Sequence, residues 1–196
     1  MDTLAIHVIW TTYMTWPPGD PRGHWSPLFD VYGRLRGKGS RLNPPDKTTR
    51  QHAHRVARGK PVHLTPVQVG AIASTLGALR GSIAPGMPGA KYSDAKPVAN
   101  LRIHAAAIEP THVHLLLAPL PTPIGRVVGR IKSTTARAAL SVAPNAAVHR
   151  RTWTAGYWKT FLFDEDAVSA VKGYIESHNL RRGLPAAPWP WIAPCT

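Results

Sequence analysis

His112 and His114 are separated by the single residue Val113 and run directly into Leu115-Leu116-Leu117. In an extended strand alternate side chains share a face, so the two imidazoles point one way and Val113 the other. Two imidazoles so placed can grip one divalent ion, and the apolar run behind them supplies the rigidity such a site needs. The same pair equally fits partly buried histidines bonded to backbone. With ten histidines in the chain, an H-x-H pair by itself decides little. Gln51-His52-Ala53-His54 is a second such pair. It sits among arginines with no apolar strand to hold it, and we set it aside as a decoy.

A tyrosine and a further histidine stand near the C-terminus. Val168, Val171 and Ile175 recur at helical spacing, which puts Tyr174 and His178 together at one edge of the buried stripe, one above the other. An edge position lets a polar tip reach a site beside a sheet, so this helix can present a nucleophile and a third imidazole. The alternative is an amphipathic helix whose tyrosine packs its ring and keeps its hydroxyl wet. The combination with a paired-histidine strand and a basic chain favours chemistry.

These residues need elements to hold them. Leu4 to Thr12 is dense in β-branched and aromatic residues and is closed by Pro17-Pro18-Gly19, which predicts a buried strand. Thr65-Pro66 pairs an N-cap residue with proline at the first helical position, and Val69, Ile72, Leu76 and Leu79 follow at helical spacing to about Gly81. After a Gly/Pro-rich linker from Ser82 to Pro97, Asn100 to Ile108, the turn Glu109-Pro110-Thr111 and His112 to Ala118 read as strand, turn, strand. Thr122-Pro123 opens a helix with Ile124, Val127, Val128, Ile131, Thr135 and Ala138 inward. Tyr157 to Phe163 reads as a fourth strand, and Asp164-Glu165-Asp166 places acids at the start of the last helix, which runs to about Leu180. The order β-α-β-β-α-β-α predicts an α+β fold: a ferredoxin-like antiparallel sheet with an added C-terminal helix that carries Tyr174.

The length of 196 residues suits one domain with a real core. We expect that domain to span 1–196, with a basic inserted loop at about 17–63 and a Pro/Trp-rich tail from about 183. The loop holds ten basic residues against three acids and is punctuated by proline and glycine. Across the chain 24 Lys+Arg stand against 10 Asp+Glu, a formal charge of +14. Such a field concentrates polyanions, and nucleic acid is the expected partner. The single cysteine, Cys195, excludes an intramolecular disulfide and any multi-cysteine zinc knot. No apolar run approaches the roughly 20 residues needed to cross a bilayer. We expect a soluble cytoplasmic protein without a membrane partner.

Taken in order, Glu109 to Leu117, Arg130-Ile131-Lys132-Ser133, Gly156-Tyr157-Trp158, Tyr174 to Asn179, and Gly183-Leu184-Pro185 with Trp189 resemble the single-tyrosine His-hydrophobe-His transposases, REP-associated tyrosine transposases and their insertion-sequence relatives in particular. The opening Ile9 to Tyr13 with Pro18 to Gly23 is similar to a branch of the same family. These motifs cover most of the chain. The resemblance implies that His112 and His114 bind a divalent ion, Mn2+ or Mg2+, and that Tyr174 attacks DNA to give a 5′-phosphotyrosine. It implies His178 as third ligand, where such proteins commonly carry an amide, a departure that bears on the preferred metal. Asn179 stands where many relatives have proline, so the helix is expected to continue a turn further.

The function expected is metal-dependent cleavage and strand transfer on single-stranded, hairpin or repeat DNA. Arg126, Arg130, Lys132, Arg137, Arg150, Arg151, Lys159, Arg181 and Arg182 are the expected contacts to the phosphate backbone. The alternatives are a domesticated repeat-hairpin binder without transposition and a non-enzymatic basic RNA-binding protein. The basic insertion does not look like an apolar dimer surface, so a monomer is expected. Because metal-binding imidazoles must be neutral, activity is expected to fall below about pH 6.

Overall fold

Ala5–Thr11 forms β1, with Ile6, Val8 and Trp10 on one face and Ala5 and His7 on the other, all of them buried. In the computed structural model, which describes residues 2–22, 45–79, 101–143 and 151–195, β1 lies inside a four-stranded sheet. The remaining strands are β2 (Ile103–Ile108), β3 (His112–Leu117) and β4 (Trp158–Leu162), in the order β2-β3-β1-β4 with every neighbour antiparallel. The helices are α1 (Lys47–Val56), α2 (Pro66–Leu79), α3 (Ile124–Ser141) and α4 (Glu165–Arg181). This is the α+β arrangement expected, with one helix more among the described residues.

The two faces of the sheet bury different partners. Ile6, Val8, Trp10, Val113, Leu115 and Leu117 pack with Val69, Ile72 and Leu76 of α2 and Val127, Val128 and Ile131 of α3. Ala5, Ala105, Ala107 and Leu116 on the other face meet Ile175 of α4, with Val168 and Val171 beside it. Each fully buried leucine or isoleucine contributes roughly 1.5–3 kcal/mol over its exposed state. β3, filled on both faces, is therefore a stiff support for whatever side chains it presents.

The region expected as an inserted loop contains a helix where it is described. Asp46 caps α1, accepting from the amides of Thr48 at 2.9 Å and Thr49 at 3.2 Å. That local hydrogen bonding satisfies amides that water would otherwise hold, so α1 forms although Ala53 is its one buried residue. His52 and His54 are exposed on it. Two residues apart on a helix they lie on opposite sides, so they cannot share an ion. Within the insertion the Asp46 amide donates to the Gly19 carbonyl at 3.2 Å, joining its start to the cap of α1. Gly19 has φ +78°, and a Cβ there would collide with the Asp46 carbonyl oxygen and the Arg50 backbone, so only glycine fits. Arg34, Arg36, Lys38 and Arg41 of that stretch lie outside the described residues, as does the expected linker from Ser82 to Pro97.

The last helix ends at Arg181, beyond Asn179. The Asn179 side-chain amide donates to the Ala106 carbonyl at 3.0 Å and to the Ala186 carbonyl at 2.8 Å, fastening α4 to β2 and to the tail. Gly183, with φ +72°, closes the helix, its amide bonded to the Leu180 carbonyl at 2.9 Å. The Pro/Trp-rich tail then returns to the body. Trp189 and Trp191 stack with centroids 6.2 Å apart, a Cβ on Gly77 would meet Trp191 at 2.6 Å, and the Ala193 amide donates to the Ile103 carbonyl. No helix among the described residues is long and apolar enough to cross a membrane.

Candidate functional site

β3 begins at His112, and its pleat turns His112, His114 and Leu116 toward α4. From the helix, Ile175 is wholly buried on Leu116 and its neighbours, which fixes the rotation of α4 and brings Tyr174 and His178 over the two histidines. Ligand-capable nitrogens of His112, His114 and His178 all lie within 4.8 Å of one another. Among the described residues this is the group of His, Cys, Asp and Glu side chains that could hold a metal ion.

Each ring is held by its Nδ1 atom. His112 Nδ1 is 2.9 Å from the Thr111 hydroxyl, His114 Nδ1 is 3.1 Å from His7 Nε2, and His178 Nδ1 is 3.2 Å from Glu109 Oε1. Metal-binding histidines are oriented in this way, by a partner on the nitrogen away from the ion. His178 Nε2 is buried with no hydrogen-bond partner. An orphaned ring nitrogen beside two more imidazoles costs free energy unless something accepts its lone pair, and three imidazole nitrogens suit a divalent first-row ion. The residues present fit a metal.

Burial governs the charge of the cluster. His112 is pushed down to about 4, mainly by burial, opposed by the Glu109 carboxylate and reinforced by His178, Arg22 and Arg181. His114, 3% exposed, is pushed to about 2 by burial and then by His112, His7, His178 and Arg181. His7 is held at about 4 by burial and then by His178. At neutral pH these rings are uncharged, the form in which imidazole binds metal.

Tyr174 is 50% exposed. Its ring stands edge-on to His178 at 4.9 Å and to His114 at 5.5 Å between centroids. A phenol that touches the histidine cluster on one side and faces solvent on the other can be reached by a bulky polyanion.

The nine basic residues expected to contact a phosphate backbone fall into different situations. Arg126, Arg137, Arg151, Lys159, Arg181 and Arg182 are exposed and Arg130 is half-buried, while Arg150 lies outside the described residues. Lys132 is engaged internally: its ammonium donates to the carbonyls of Thr154 at 2.7 Å and Gly156 at 2.5 Å, and burial lowers its pKa to about 8. It pins the segment before β4. Arg182 donates to the Ile108 carbonyl at 2.7 Å and lies 3.7 Å from Glu109.

Sequence reasoning passed over His7, Glu109 and Thr111 as partners of the cluster, and counted Arg22 with the insertion and the Pro18 to Gly23 motif, not with the cluster. Arg22 is paired with buried Asp20 at 2.7 Å, donates to the Thr15 carbonyl and lies over the Trp16 ring. The Thr15 hydroxyl in turn donates to the Thr111 carbonyl, next to His112. Glu109 and Thr111 could have been suspected from their nearness to the H-x-H pair. Nothing in the local pattern marks His7.

Residues 91–178 match the family described as Transposase IS200 like. The match contains His112, His114, Tyr174 and His178, and leaves out β1. Two solved structures resemble the chain. One is a Deinococcus radiodurans R1 protein described as a transposase, 16% identical over 91% of this chain and 92% of that one, with a TM-score of 0.39. The other is a REP-associated tyrosine transposase bound to a REP hairpin, 10% identical over 97% and 76%, with a TM-score of 0.37. No curated protein matches the sequence.

Proposed function

We propose that this chain is an IS200-like DNA transposase that cuts and rejoins single-stranded DNA with Tyr174, beside a divalent ion held by His112, His114 and His178. The observation that carries this reading is the contact of a half-exposed phenol with a three-histidine cluster, two of whose rings are buried, inside the segment that matches the family.

The Tyr174 oxygen attacks the scissile phosphorus, forming a Tyr–O–P bond as the P–O bond to the 3′ oxygen breaks. The phenol gives up its proton as it attacks, the strand end takes one up and leaves as a 3′-hydroxyl, and the other end stays attached as a 5′-phosphotyrosine. Because the bond energy is kept in that ester, a second 3′-hydroxyl reverses the step and joins strands without ATP. When bound, the ion supplies positive charge to the phosphate oxygens as the transition state forms. Tyr174 is aimed by the rotation of α4, and the ligand rings by their Nδ1 partners. Exposed Arg126, Arg137, Arg151, Lys159 and Arg181 follow the backbone of the strand, where each released counterion adds affinity and salt dependence.

Hairpin ends with a single-stranded flank suit this site better than uninterrupted duplex, because the phosphate must reach a tyrosine set against the sheet and unpaired bases are free to be read. The test is incubation of such a hairpin with the protein and Mn2+, followed by denaturing electrophoresis. A DNA-linked protein band absent with Tyr174→Phe is expected. Binding without any adduct identifies a domesticated hairpin binder, and equal cleavage of paired duplex defeats the substrate assignment.

A further inference from the structure

His7 occupies the middle of a strand where an apolar side chain would pack more cheaply, since burying a polar ring costs free energy unless it is hydrogen-bonded. It is 4% exposed. Its Nε2 lies 3.1 Å from His114 Nδ1, across 107 residues of sequence. The two rings stack with centroids 5.4 Å apart and planes 21° from parallel, and the edges of Trp158 and Tyr174 close on His7 at 5.5 Å and 6.4 Å. β1 and β3 are in register as Ile9 with His114 and His7 with Leu116, so His7 and His114 are diagonal neighbours on the α4 face, within reach of long side chains.

A neutral imidazole carries one N–H. If His114 is to offer its Nε2 lone pair to an ion, its proton must be on Nδ1, and that proton needs an acceptor. Free imidazole can place the proton on either nitrogen, so the acceptor selects the form. Thr111 and Glu109 stand at the corresponding atoms of His112 and His178. His7 Nε2 stands at that of His114.

Resting on the reading of His112, His114 and His178 as a metal site, we propose that His7 is a positioning residue: its Nε2 accepts the Nδ1 proton of His114, fixing the tautomer and ring orientation that turn His114 Nε2 to the ion. His7 itself then carries its proton on Nδ1 and is not a ligand. Removing such an outer partner typically costs 10–100-fold in metal affinity.

The test uses the full chain and two variants. His7→Leu removes the acceptor, whereas His7→Gln can return an oxygen to it. Free Mn2+ is measured by electron paramagnetic resonance during titration, and long-range 15N–1H spectra of the metal-free protein at neutral pH report the tautomer of each histidine. We expect Nδ1–H on His114 in the wild type, a 10–100-fold weaker Mn2+ affinity with His7→Leu, and recovery to within a few-fold with His7→Gln. A folded His7→Leu protein with wild-type affinity overturns the role of His7 and leaves the metal site standing. A wild type that takes up no Mn2+ overturns the metal site and this role with it. Should His7→Leu not fold, the wild-type spectrum decides: His114 protonated on Nε2 overturns the proposal.

Discussion

The Nδ1 atom of His178 lies 3.2 Å from Oε1 of Glu109, so a carboxylate from the β2–β3 turn holds a ring from the C-terminal helix. Arg182, one turn further along the chain, approaches the other carboxylate oxygen at 3.7 Å. Glu109 thereby fixes the ring whose Nε2 is buried without a hydrogen-bond partner. The orientation of His178 on α4 therefore depends on a residue outside that helix.

Glu109→Ala should weaken Mn2+ binding by about 10–100-fold, and Glu109→Gln, which keeps an oxygen but no charge, by less. Titration of each variant with Mn2+ checks this ranking. Equal affinities for the wild type and Glu109→Ala would show that the carboxylate does not serve the metal.

Tyr174→Phe removes only the hydroxyl of a half-exposed residue. Stability should change by less than about 0.5 kcal/mol and hairpin affinity should persist, while the covalent adduct disappears. Thermal melts, filter binding and denaturing gels separate the three effects. An adduct that survives the substitution moves the nucleophile to another residue.

Three imidazole nitrogens favour Mn2+ or another first-row ion over Mg2+, which prefers oxygen and gives up water reluctantly. Chelation should abolish the adduct, and Mn2+ should restore more of it than Mg2+. His178→Gln, which supplies an amide oxygen, should shift the preference back towards Mg2+. The ratio of adduct yields in the two ions is the measurement.

The dependence of stability on pH follows from burial. His7 and His112 at about 4 and His114 at about 2 lie below the unfolded value of about 6.5. The unfolded chain therefore binds more protons between those limits, and stability is fully present above about pH 6.5 and lost as pH falls toward 4. The melting temperature of the metal-free protein should decline steadily over that window. A flat profile from pH 6.5 to 4 would contradict the buried neutral rings. The loss of activity expected below about pH 6 from protonation of the metal-binding imidazoles is not set by His112 or His114, whose burial keeps them neutral well below it.

Lys132→Ala should behave as a stability variant. It strips the donor from the carbonyls of Thr154 and Gly156, at a cost of about 1–3 kcal/mol if they stay dry. Arg126→Ala, on the same helix but exposed, should leave stability within about 0.5 kcal/mol and weaken DNA binding in a salt-dependent manner. Chemical denaturation beside binding at two salt concentrations distinguishes them, and the reverse assignment would follow if Lys132→Ala altered only binding.

The sequence by itself determined the strands, three of the four helices among the described residues, and the faces on which His112, His114, Tyr174 and His178 lie. These follow from period, caps and proline positions within a window of a few residues, as with Thr65-Pro66 before α2 and Asp164 capping α4 through the Ala167 amide. It even foretold that α4 would run past Asn179. Helix α1 escaped it because the capping of Asp46 outweighed a polar, weakly buried stretch. Lys132 read as a surface cation because helical spacing does not reveal that the carbonyls of Thr154 and Gly156 fold back over it. His7 was invisible for a stronger reason. Its meeting with His114 depends on β1 pairing with β3 in one register, Ile9 against His114, and a slip of one residue would send His7 to the opposite face. Contacts of that kind are set by the whole sheet and by the helices that close its two faces, so only the tertiary structure decides them.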